Sequence, residues 1–338
     1  MNRNDIQTIN RKLGTNFPLN AKIVGRDGYP LAMDADYTYG TAQTAANAGV
    51  IAALTTWVDP SFVQAVIAPM RMAEIYTEAQ KGNITDTSVA IPVRELNGFT
   101  SAYGDFNDNG MAGSNVNWVS RQPFHYQTHV KIGTIEIERA AAAKYDLVSA
   151  EQEAAMLVLN KYQNQTYIYG VDGLQNYGTL NDPSLYPDIV GINWYSATAE
   201  QVYAEITKLY NQLVKQANGN VKARDPMTLT LSPAMEAHLH KTNMYNVNVY
   251  DQLTKNFPNL KIESVPEYST AAGEKLQLVL DSYLNRKTIE LSFTTKMMAG
   301  AVEQKTTGWL QKRSQSTLGA IIYYPMFVAG MLASNTTA

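Results

Sequence analysis

The sequence predicts a mixed α+β chain: an N-terminal arm, an extended β-hairpin loop, a long helix, a compact α/β unit and a β tail, in that order. Three observations predict it. Hydrophobic periodicity is absent at first, has a period of two from Thr87 to Ile132, and follows a helical period in two later stretches. Capping boxes at Ser149–Gln152 and Thr198–Gln201 open those two stretches. Charged residues make up only 17% of the chain, and 21 Tyr stand beside 8 Phe. An ordinary domain carries about 25% charge.

The 338 residues (37.4 kDa) predict two folded units, or one with large excursions, at roughly 100–200 residues each. Residues 1–56 carry no sustained period and are broken by Gly25, Gly28, Pro30, Gly40 and Gly49. This is an arm expected to lie on another surface in an assembled state. Asp59-Pro60 is a helix start, with Asp as cap and Pro at the first helical position, and Pro69 ends or kinks that helix. From Thr87 onward Val89, Ile91 and Val93 alternate with polar residues, and Pro92 places the strand at an edge. Asn97 to Asn115 reads as a long turn. A return strand follows, with Val116, Trp118, Phe124, Tyr126, Val130 and Ile132 on one face. Arms of about eleven residues at ~3.4 Å per residue reach roughly 37 Å. A compact chain of this length has a radius of gyration of about 20 Å, so the hairpin projects. A lone two-stranded ribbon is marginally stable in water. Its aromatic face therefore needs either another subunit or its own domain folded back beneath it.

Gly133-Thr134 reads as a bulge, with Ile135 and Ile137 alternating against Glu136 and Glu138. The helix behind Ser149 runs to about Tyr169, before Gly170 and Gly173. In the α/β unit, Val202, Ile206, Leu209, Tyr210, Leu213 and Val214 form an amphipathic stripe closed by Gly219. Strands are predicted at Met227–Leu231, Leu260–Val265, Leu276–Leu280 and Thr288–Thr295, with Ser232-Pro233 capping a helix between the first two. The tail from Gly308 to Leu332 reads as β structure.

Composition excludes several functions. The longest apolar run, Ala320–Leu332, is broken by Pro325 and Gly330 and falls short of a membrane span of ~18 residues. No secretory leader is expected from Met1-Asn2-Arg3-Asn4-Asp5. With no cysteine, disulfides, thiolate nucleophiles and Cys-ligated zinc are out, and a cytoplasmic setting is expected. A net charge of −3 speaks against a nucleic-acid-coating surface. Charge depletion with abundant tyrosine is the profile of an interface core, although drift in composition produces the same figures.

No catalytic constellation emerges. His125 and His129 on a strand lie about 13.6 Å apart, too far to share one zinc. His238 and His240 on a helix point about 200° apart. Glu136 and Glu138 on a strand lie at about 7 Å, within the range of paired glycosidase carboxylates, but a half-solvated strand carries such pairs routinely. Phosphate-loop, dinucleotide and nucleophile-elbow motifs are absent, and Gly170 and Gly173 read as helix termination. No cofactor or metal is expected.

Several blocks carry a resemblance. They are Gly133–Ala140 (GTIEIERA) running into Asn160–Gln165 (NKYQNQ), Tyr177–Pro183 (YGTLNDP), Asn256–Leu260 (NFPNL) with Pro266–Thr270 (PEYST), and Thr317–Ile322 (TLGAII). In combination they resemble the major capsid proteins of tailed bacteriophages, with the HK97-like fold. The resemblance implies an N-terminal arm (1–56), a peripheral domain (57–84, 131–190 and 302–338) containing a spine helix, an extended loop (85–130) and an axial domain (191–301). It implies self-assembly as pentamers and hexamers into an icosahedral shell around the phage genome, built in the host cytoplasm and found in the virion. Phe99, Tyr103, Phe106, Trp118, Phe124 and Tyr126 are then the expected inter-subunit contacts. Separate scaffolding, portal and decoration proteins are implied partners; DNA is enclosed without sequence-specific binding, and no membrane is involved. Some relatives weld subunits through a loop lysine; none lies between Lys81 and Lys131 here. Some begin with a charged helical scaffolding segment, and this N-terminus is unlike one. The rival readings are a cellular encapsulating shell of the same fold and, from another class, an α/β glycosidase or metal hydrolase.

Overall fold

The computed structural model describes residues 69–105, 109–143 and 145–334. The expected arm and the helix opened by Asp59-Pro60 lie outside them. Helix α1 (Met72–Ile75) and strand β1 (Glu78–Gln80) lead into the ribbon, where β2 (Val89–Phe99) and β3 (Met111–Arg121) pair antiparallel. The ladder extends further toward the tip than composition implied. Asn97 and Gly98 pair with Gly113 and Ala112, which shortens the turn to 100–110. Glycine permits this approach, since a Cβ on Gly98 would stand 2.9 Å from the Met111 carbonyl oxygen.

The return strand does not run on to Ile132. Gln122 and Pro123 interrupt it, and β4 (Phe124–Gly133) joins another sheet, against Gly308–Thr317. The expected bulge and strand at Gly133–Glu138 are instead helix α2 (Thr134–Ala142). The Gly133 N–H donates to Glu136 Oε2 at 2.9 Å, and the Glu, Arg and Ala that follow are strong helix formers. Local capping thus overrides the apparent Ile135/Ile137 alternation. The long helix α3 (Leu147–Tyr169) opens earlier than the predicted box. Asp146 is its cap, accepting from the Ser149 N–H (3.1 Å) and hydroxyl (2.7 Å), and those two hydrogen bonds lower the Asp146 carboxyl pKa. The helix ends at Gly170, whose φ of 66° suits glycine.

Next come β5 (Ile189–Val190), α4 (Ala199–Gln216), β6 (Met227–Leu231), α5 (Pro233–His238), α6 (Val249–Asn256), β7 (Leu260–Ser264), β8 (Ser269–Thr270) and β9 (Gly273–Leu280). The Thr198–Gln201 box forms as expected. The Thr198 N–H donates to Gln201 Oε1 (2.9 Å) and the Gln201 N–H to Thr198 Oγ1 (3.4 Å). The stripe Val202, Ile206, Leu209 and Leu213 is buried. Ser232 caps α5 by accepting from the Met235 N–H at 3.3 Å. Strand β6 is buried along its whole length, because it lies centrally between parallel β7 and antiparallel β9. The full sheet runs β5-β16-β9-β6-β7, with β8 paired to β9 and β16 being Val328–Ala333. Its core gathers Trp194, Leu209, Leu213, Leu229, Leu253 and Leu278.

A small hairpin, β10 (Ser282–Tyr283) and β11 (Arg286–Lys287), precedes β12 (Ile289–Phe293), β13 (Met298–Lys305), β14 (Gly308–Thr317) and β15 (Gly319–Ile322). Strand β13 carries no clean alternation and is exposed almost throughout, which is why the sequence did not reveal it. Strands β13, β14 and β4 form one antiparallel sheet; β1, β12 and β15 form another. A second core joins Met72, Tyr167, Ile168, Tyr268, Leu291 and Ala320 at the C-terminal end of α3.

Gly319 links β14 to β15 at φ 73°, and a Cβ there would stand 2.2 Å from the Tyr177 carbonyl oxygen. Gly319→Ala is expected to destabilise the protein by at least about 1–3 kcal/mol, the cost of a strained backbone conformation alone. Chemical denaturation of the unassembled protein checks this.

Candidate assembly interface

Directly opposed residues of an antiparallel pair share a face, so the register assigns the ribbon's side chains. Pro92 faces Trp118 and Arg94 faces Val116, with Leu96 on the same side. The opposite side carries Ile91 with Val119, Val93, and Phe99 with Met111. Both faces therefore carry apolar side chains, set among polar ones such as Arg94 and Asn117. Ile91 and Arg121 alone are buried, both at the root. Beyond them Trp118 is 63% exposed, Phe99 62% and Leu96 72%, while Tyr103 at the tip is 96% exposed. Single exposed hydrophobes are ordinary, but a run of them on both sides of one ribbon marks an interaction surface.

The predicted contact residues do not form one patch. Phe99 and Trp118 occupy opposite faces of the ribbon, and Tyr103 stands in the turn with its hydroxyl donating to Asp105 Oδ1 at 3.3 Å. Phe106 lies outside the described residues. Phe124 and Tyr126 sit on β4, beyond the ribbon. Their rings pack on Tyr162 of α3 with centroids 6.2 and 4.7 Å away, and the Tyr126 hydroxyl reaches the Leu159 carbonyl at 3.5 Å. Burial, first of all, pushes the Tyr126 and Tyr162 phenols up. Leu96 and Met111 join this exposed surface without a signal of their own in the sequence, because their partners appear only once the two alternations are folded about the Asn- and Gly-rich turn.

The catalytic candidates disperse. His125 and His129 stand exposed on β4, as strand residues. Glu136 and Glu138 are exposed on helix α2, about 200° apart, and not paired on a strand. The His238 ring meets the Tyr195 ring edge-on at 4.9 Å; burial, then the charge of Lys241, holds its imidazole below the usual value.

This architecture matches known shells. The chain is similar to the capsid of Myoviridae phage XM1, with a TM-score of 0.70 at 16% identity over 84% of this chain and 98% of that one. It is similar to the capsid of a native GTA particle (TM-score 0.58, 8% identity, 82% and 95% covered) and to Mycobacterium phage Che8 (0.54, 10%, 82% and 96%). These likenesses establish the fold, the HK97-like fold of tailed-phage capsid proteins. No curated protein matches the sequence. The family model of the Pa193 gp26 major capsid protein matches residues 41–333, and the chain belongs to that family. It is a major capsid protein, a component of the virion. The match is to phage capsids and offers no support to a glycosidase, a metal hydrolase or a cellular encapsulating shell.

If the ribbon carries no fold of its own body, its substitutions leave stability alone. Trp118→Ser and Phe99→Ser are expected to change the unfolding free energy of unassembled protein by less than about 0.5 kcal/mol. Trp194→Ala, in the sheet core, is expected to cost about 3–5 kcal/mol. Urea titration followed by circular dichroism separates the two outcomes.

Proposed function

We propose that the chain assembles as pentamers and hexamers into a closed icosahedral shell around the phage genome, built in the host cytoplasm. Its role is structural and not catalytic, and it encloses DNA without reading sequence. The single observation that carries this is the ribbon, whose exposed apolar side chains on both faces have no cover within the described residues. A neighbouring copy supplies the cover, so the ribbon is the extended loop and lies over that copy. The β5-β16-β9-β6-β7 sheet with helices α4 and α6 serves as the axial domain, which β5 (Ile189–Val190) and β16 (Val328–Ala333) join from outside the expected bounds of 191–301. Helix α3 and the β13-β14-β4 sheet serve as the peripheral domain. Rings of five and six require heterologous contacts that close by symmetry, and many individually weak contacts then act together. Contacts made by the ribbon are non-covalent with respect to lysine, since it offers no amine for an isopeptide weld.

Purified protein, alone or with a scaffold, is expected to form pentamers, hexamers or closed particles under negative-stain microscopy. Deleting 97–115 is expected to leave a folded chain with few or no closed particles. A protein that stays monomeric at every concentration with phage partners supplied, or normal particles from the deletion, contradicts the reading.

A further inference from the structure

The ribbon's direction is fixed at its root, and the two strands are held there very differently. The outgoing strand arrives through an exposed turn, secured by the Asn83 N–H donating to Asp86 Oδ2 at 2.7 Å. The return strand is gripped. Arg121, the last residue of β3, donates from Nη2 to Asp182 Oδ2 at 2.7 Å, and its guanidinium carbon lies 4.7 Å over the Tyr177 ring. The Arg121 side chain is 9% exposed and that of Asp182 only 1%. The second Asp182 oxygen accepts from the Ser184 N–H (2.9 Å) and hydroxyl (2.6 Å).

The following residue joins the grip. The Gln122 N–H donates to the Gln175 carbonyl at 3.0 Å, and the Gln175 N–H returns to Gln122 Oε1 at 3.2 Å. Asn176 Nδ2 donates to the carbonyls of both Gln122 (3.1 Å) and Thr317 (3.0 Å). The loop that holds Arg121 is itself tied down. The Ala320 N–H donates to the Tyr177 carbonyl at 2.8 Å, and the Thr179 and Leu180 N–H groups donate to Tyr167 and Ile168 at the end of α3. Arg121 is thus set against a plate fixed to both the long helix and the β14–β15 turn.

A buried ion pair adds little net stability, because desolvation offsets most of the attraction, and an apolar pair of similar volume often serves as well. What the pair imposes is geometry. A planar guanidinium that must both stack and meet a carboxylate has one orientation. Geometry matters here because the ribbon is a lever. Over about 37 Å of strand, a root tilt of about 10° moves the tip by about 6 Å, more than a packed contact tolerates.

We propose that Arg121, Asp182 and Tyr177 form a positioning clamp that sets the direction of the ribbon, and so the register in which it meets a neighbouring copy. The second half rests on the ribbon's assembly role proposed above; the first half does not.

The absence of cysteine makes the test direct. Spin labels at Ser101→Cys near the tip and Asn211→Cys on α4 report the ribbon's direction by double electron–electron resonance, with labelled protein diluted into unlabelled, unassembled protein. The paired exchange Arg121→Met with Asp182→Leu is expected to keep the melting temperature within about 3 °C of the parent. It is expected at least to double the width of the distance distribution and to yield particles of mixed size. An unchanged distribution in the folded double variant overturns the clamp. Should that exchange cost the fold, Tyr177→Leu removes only the stacking plane and carries the same expectation, and an unbroadened distribution there overturns the clamp equally. A broadened distribution with uniform particles leaves the clamp standing and overturns the ribbon's role in setting assembly register.

Discussion

A two-stranded ribbon with apolar side chains on both faces is a constraint the chain cannot satisfy alone. A β-sheet normally presents one face to a core and the other to water. Here Pro92, Leu96, Val116 and Trp118 line one side while Val93, Phe99, Met111 and Val119 line the other, and the body reaches only as far as the root. Leaving this surface wet forfeits burial worth roughly 25 cal/mol for each Å² of apolar area. The rest of the structure can be read as the support such an element requires: a sheet-and-helix unit with its own core, a second core at the end of the long helix, and a root that grips one strand of the ribbon.

Division of labour follows from where the burial lies. The α4 stripe and the central strands of the large sheet close a core from residues of this chain alone. The tyrosines divide along the same line. Tyr76, Tyr167 and Tyr268 are buried and bonded within the chain, with Tyr268 donating to Gln277 Oε1 at 2.7 Å and Tyr167 to Glu78 Oε1 at 3.0 Å. Tyr103, Tyr186 and Tyr245 are exposed. The tyrosine excess therefore serves the interior as well as the surface, and composition alone could not apportion it.

Much of this was legible in the sequence, for identifiable reasons. The α4 helix was plain because a strong 3.6 stripe, a reciprocal capping box and a terminating glycine agree with one another. The ribbon was plain because alternation changes period abruptly at Thr87. What the sequence hid were exchanges of partner. Val116 to Ile132 reads as one alternating run, yet the ladder breaks at Gln122-Pro123 and the second part pairs with a strand nearly two hundred residues away. The unbroken run groups Phe124 and Tyr126 with the ribbon, whereas their rings pack on Tyr162 of α3. Helix α2 was hidden because Ile135 and Ile137 imitate a strand, and only the Glu136 side chain closing on Gly133 decides the matter. Arg121 gave no signal at all, since its partners Asp182 and Tyr177 belong to a loop that reads as irregular.

The central claim is that copies of this chain cover what each leaves bare. Hydroxyl-radical footprinting, read residue by residue by mass spectrometry on dispersed protein and on assembled particles, tests it most directly. The account predicts that Leu96, Phe99, Met111 and Trp118 are oxidised readily when dispersed and strongly protected in the particle, while Trp194 is protected in both. Equal oxidation of those four residues in the two states would contradict it.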